Sequence, residues 1–122
     1  MPVRFVLDKN LRGPVWDAVA VANGMTEEPI EITRVGDSPE LPLGSQDPAI
    51  LLWAERNGFI RVSTDIHTMP IYLAQHLQAG NQSPGIFLVR LPCPVRELVE
   101  WLFVLADDRD ADYWRDRIFY LP

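Results

Sequence analysis

The order of apolar runs along the chain predicts an α/β domain, a mostly parallel β-sheet flanked by helices on both faces in a three-layer sandwich. Two observations carry this. Short runs rich in β-branched and aromatic residues alternate with longer stretches of helical periodicity, the β-α-β-α order that right-handed crossovers turn into a parallel sheet. One of those runs, Ile86-Phe87-Leu88-Val89, is apolar at every position, as a strand covered on both faces must be.

Val3 to Leu7 reads as the first strand, stopped by the polar turn residues Asp8-Lys9-Asn10. Pro14 suits a first helical turn, and Val15, Trp16, Val19, Ala20 and Ala22 continue a helix over about 12–23 until Asn23-Gly24. Ile30 to Val35 alternates apolar and polar residues, the period of a half-exposed strand. Pro39, Pro42, Gly44 and Pro48 mark a long irregular connection. Asp47-Pro48 then reads as N-cap and first helical residue, and the helix runs to Asn57-Gly58, a natural left-handed stop. Phe59 to Ser63 is the third strand and Met69 to Gln78 the third helix. Ile86 to Val89 is the fourth strand. Pro94 to about Ala106 is the longest helix, with Val95, Leu98, Val99, Leu102 and Leu105 on one stripe, and Ile118 to Leu121 reads as a last strand. Trp101, Val104 and Phe103 form a second ridge on that helix, which suits a homodimer or partner contact there, although core packing is the commoner use of any one tryptophan.

The 122 residues suit a single domain over 1–122. A net charge of −6 excludes a broad basic face for sequence-independent phosphate binding. Ten of the eleven basic residues are arginine, the type suited to bidentate phosphate contact, although most such residues are simply solvated. The acidity concentrates in residues 97–122. One cysteine, Cys93, can neither staple a secreted mini-fold nor build a Cys/His zinc site, so a reducing cytoplasm is expected. No apolar run approaches the ~20 residues that span a bilayer, so no membrane is expected.

Ligands of open α/β sheets sit beyond the carboxyl ends of the strands. Asp8 closes the first strand, Asp65 lies just past the third, and Asp47 starts a helix at the same rim. Carboxylates gathered at one rim repel one another unless a hard cation lies among them, which makes Mg²⁺ or Mn²⁺ the ligand they would select. Each acid also has a purely structural reading. Asp47 can be a helix cap, Asp8 and Asn10 can serve a turn, and Ser63-Thr64-Asp65 can cap the following helix. His67 can add a nitrogen ligand or a proton-transfer group, whereas His76 reads as a surface or packing residue. Thr64 and Ser63 can donate to a phosphate, but no G-x-S-x-G elbow is present to support a serine hydrolase. A receiver-type phosphoacceptor needs a lysine late in the chain, and the only lysine is Lys9.

Four segments together resemble the small PIN-like nuclease domains of bacterial toxin–antitoxin pairs. Val3-Arg4-Phe5-Val6-Leu7-Asp8-Lys9-Asn10-Leu11 is similar to that family's strand followed by Asp-Glu-Asn-Leu. Asp47-Pro48-Ala49-Ile50-Leu51 is similar to its Asp-x-x-Ile helix start, and Ile60-Arg61-Val62-Ser63-Thr64-Asp65 to its strand with Thr-x-Asp. Gly85 to Leu91 supplies the fourth. The resemblance spans Val3 to about Leu105. It implies a metal-dependent ribonuclease in which Asp8, Asp47 and Asp65 hold Mg²⁺ or Mn²⁺ and water attacks an RNA phosphodiester, with Asn10, Thr64, His67 and Lys9 as supporting groups and an antitoxin protein as partner. Lys9 stands where the family places a glutamate, and His67 where it places a second aspartate. The alternative implied is a catalytically inactive PIN-like protein- or RNA-binding module.

Overall fold

A computed structural model describes residues 2–121. Its strands are β1 (Arg4–Leu7), β2 (Glu31–Arg34), β3 (Ile60–Ser63), β4 (Ile86–Val89) and β5 (Ile118–Leu121), and its α-helices are α1 (Pro14–Gly24), α2 (Asp47–Asn57), α3 (Met69–Gln78) and α4 (Val95–Asp108). All five strands are parallel in one sheet of order β2-β1-β3-β4-β5. The α/β class is as the sequence predicts. Bounds of α3, β4 and β5 coincide with prediction, while α1 starts later than expected because a 3-10 turn over Lys9–Leu11 intervenes, and α4 runs on to Asp108.

Both faces of the sheet are covered, and the pleat divides the strand residues between them. On one face Phe5, Leu7, Val62, Phe87 and Val89 form the main core with Val15 and Val19 of α1 and Leu98, Leu102 and Leu105 of α4. Phe87 sits at its centre, its ring 5.6 Å from that of Phe5, 5.0 Å from Trp114 and 5.8 Å from Phe119. Gly85 just before β4 has φ of 124°, and a Cβ there would lie 2.6 Å from the Trp114 carbonyl, so only glycine lets the chain pass so close. Gly58 ends α2 at φ 74°, the left-handed stop that Asn57-Gly58 predicts. Trp101 and Phe103 are half-buried against the main core, the packing use that any one tryptophan commonly has, and of the three ridge residues Val104 is exposed, at 58%.

The other face is unlike the first because its apolar contacts fall into two clusters. Val6 packs with Val35, Leu41 and Ile50, whereas Ile86 and Leu88 pack with Leu51, Met69 and Leu73. Between them, in register with Val6 on one side and Ile86 on the other, the central strand presents Arg61, which is 1% exposed. A guanidinium thus occupies a core position.

Candidate functional site

The strand order reverses direction between β1 and β3, and in open α/β sheets the crevice at such a point is where ligands bind. Here a cavity of about 420 Å³ opens, lined among others by Asp8, Lys9, Asp47, Arg61, Asp65 and Tyr72. The three acids picked out in the sequence therefore do meet at one rim. Local rules deliver them there. Asp8 follows the last paired residue of β1, its amide donating to the Val62 carbonyl at 3.0 Å, and Asp65 follows β3.

What lies among the acids is Arg61. Its Nη2 is 3.1 Å from both oxygens of Asp8 and 2.5 Å from Oδ1 of Asp47. Nη1 lies 3.4 Å from Met69 Sδ, and Nε has no partner among the described residues. The stem is held between the two apolar clusters, so the head group has no other place to go. Three corrections follow. Arg61, expected to be solvated, is buried. Asp47, expected to cap α2, is instead its first residue, with Gln46 in the cap position and no side-chain cap bond, because its carboxylate turns to Arg61. At that first turn the carboxylate also faces the positive end of the α2 dipole. Ser63, expected to face a phosphate, donates its hydroxyl to Asp8 Oδ2 at 2.8 Å.

Asp65 has a separate task. Its carboxylate accepts the Thr68 amide at 3.2 Å and the Thr68 hydroxyl, tying the turn that enters α3. The Thr68 hydroxyl bond, followed by backbone bonds to Thr68 and His67 and the Arg61 charge, holds the Asp65 carboxyl below its ordinary value of 3.8 against the opposing effect of burial. A carboxyl depressed in the folded state contributes stability that is complete above its unfolded value and is lost as pH falls through the folded one. Acid unfolding of Asp65→Asn is therefore expected to fall less steeply below pH 3.8 than that of the native chain, with the curves parallel at neutral pH, as read by circular dichroism.

The other candidates divide. The Asn10 amide donates to the Thr64 hydroxyl, so these two brace the β1 and β3 turns against each other. Lys9 is exposed at the cavity mouth. His67 is exposed and is not among the residues that line the cavity. His76, read as a surface or packing residue, is buried, with Nε2 3.0 Å from Glu55 Oε1 and 2.7 Å from the Gln82 carbonyl. Both partners accept, so Nε2 carries a proton and clamps α3 to α2 and to the loop beyond. Arg61 was the residue missed. Its signal was present: in a central strand covered on both faces, the residue between Ile60 and Val62 has nowhere exposed to point.

The carboxylate set suits a hard cation in chemistry. It does not fit one as arranged, because an ion about 2.1 Å from the oxygens of Asp8 and Asp47 would fall against a guanidinium already bonded to both, charge against like charge. Among the described residues no group of three or more His, Cys, Asp or Glu side chains is arranged to hold a metal ion. Nor, among them, is any helix long and apolar enough to cross a membrane. No known protein family, curated protein or solved structure was found to match the chain.

Proposed function

We propose that the chain is a PIN-like domain that works as a binding module for protein partners and not as a metal-dependent ribonuclease. The observation that carries this reading is the Arg61 guanidinium, bonded to Asp8 and Asp47 where the resemblance would place Mg²⁺ or Mn²⁺. Arg61 offsets part of the acids' charge from inside and fills the space between Asp8 and Asp47 that an external cation would take. Protein is favoured over RNA as the partner because the chain is acidic overall and the rim, with Asp8, Asp47 and Asp65 against Arg61 and Lys9, remains net negative.

Incubation of the purified chain with single-stranded RNA and either cation tests this. No cleavage above that of Asp8→Asn and Asp65→Asn is expected, and titration calorimetry with Mn²⁺ is expected to give no saturable heat. Cleavage by the native chain that both substitutions abolish would overturn the reading. It would support instead the hydrolytic one, that of a toxin ribonuclease paired with an antitoxin, whose supporting observation is that the three acids share one cavity.

A further inference from the structure

The end of the sheet opposite the acidic rim carries a second groove of about 490 Å³. Its apolar surface comes from exposed Pro2 and Pro29 and from half-buried Phe103 and Ala106 of α4, over Val3 before β1 and Ile30 before β2, which are buried. Its edges are acidic, with Glu28, Glu31 and Asp107 exposed around that surface. Glu31 is shared with Arg4 at 3.4 Å, but the carboxylates of Glu28 and Asp107 make no ion pair among the described residues.

The backbone adds to this potential. α1 and α4 both end beside the groove, and neither has a basic residue in its last turn, so the negative ends of two helix dipoles go uncompensated within those turns. Arg109, just past α4, is paired with Asp108 at 3.5 Å. An apolar surface beside unpaired carboxylates and two helix C-termini selects a ligand with an aliphatic body and a cationic head. An arginine or lysine side chain fits that description: its methylenes lie on apolar surface while its charge stays at the edge.

We infer that this groove docks a basic segment of a partner polypeptide, in which arginine or lysine alternates with aliphatic residues. The inference concerns a different end of the molecule from the Arg61 rim, so its failure and that of the proposed function are read in separate experiments. The charge complementarity is the argument for the occupant: nucleic acid is repelled here, and an acidic or neutral segment leaves Glu28 and Asp107 unpaired.

The test is a titration of the ¹⁵N-labelled chain with the capped peptide Gly-Ser-Leu-Arg-Leu-Arg-Ser-Gly, followed by amide shifts. Shifts are expected at Thr26, Glu28, Glu31, Phe103 and Asp107 and not around Asp8 or Asp65. The same peptide with glutamate for arginine is expected to produce none. In the double variant Glu28→Gln, Asp107→Asn, whose two sites are exposed and whose melting curve is expected to match the native chain, affinity is expected to fall roughly tenfold. The inference is overturned if the glutamate peptide binds equally, if shifts centre on the rim, or if the double variant binds as tightly as the native chain. Spermidine binding as tightly as the peptide would reduce the groove to diffuse charge attraction and overturn it too. So would shifts of the groove amides with protein concentration alone, since the occupant would then be a second copy.

Discussion

Replacing Asp8 by alanine is expected to destabilise the fold by about 3 kcal/mol, the lower end of the cost of breaking a buried ion pair, because Asp47 still holds one side of the guanidinium. The cost arises from the charge that stays behind. Arg61 is 1% exposed and its Nε has no partner among the described residues, so losing both Asp8 oxygens leaves a nearly buried charge that only water entering from the rim cavity can meet in part. Combining Asp8→Ala with Arg61→Met is expected to recover most of the loss. A thioether stem of similar length would join the two apolar clusters that Arg61 separates, beside Val6 and Ile86 in the register. Urea unfolding midpoints at unchanged slope measure the cycle. A loss under about 1 kcal/mol for Asp8→Ala, or a double variant no better than the single, would mean that the guanidinium is not held as described.

The same cycle separates structure from chemistry at the rim. With Arg61→Met alone, Asp8 and Asp47 lose their shared cation, and the carboxylates are then free to attract an external one. Saturable Mn²⁺ binding in Arg61→Met, absent from the native chain, is the expected calorimetric result.

Truncating Phe87 to alanine is expected to cost about 4 kcal/mol and to lower the melting temperature by roughly 15 °C. Phe87 is fully buried on β4 and touches the rings of Phe5, Trp114 and Phe119, which come from β1, the 3-10 turn over Ala111–Trp114 and β5. Neighbours from three separate elements, two of them strands of the sheet, cannot readily collapse into the void, so both the transfer loss and the cavity loss are felt. Leu91→Ala, at a position 67% exposed, is the control and is expected to change stability by less than about 0.5 kcal/mol. A melting temperature for Phe87→Ala within a few degrees of the native value would contradict the packing described.

The sequence by itself determined the elements and their class. Period-2 and period-3.6 patterning, Pro14 and Pro48 at helix starts and Gly58 at a helix end are local signals, set by the backbone geometry of a few adjacent residues, and these elements appear where such signals place them. That Asp8, Asp47 and Asp65 reach one rim also followed from local order, since each sits at an element boundary on the same end of the sheet. Asp65 ties the turn entering α3 through Thr68, three residues on, which is the local role that Ser63-Thr64-Asp65 allows. Only the tertiary structure decided what Asp8 and Asp47 do: Asp47 turned from a cap to an ion pair because the strongest partner within reach, Arg61, is supplied by another element. The register that puts Arg61 between Val6 and Ile86, and so a cation beneath the acids, depends on three strands pairing side by side, which no single stretch of sequence encodes.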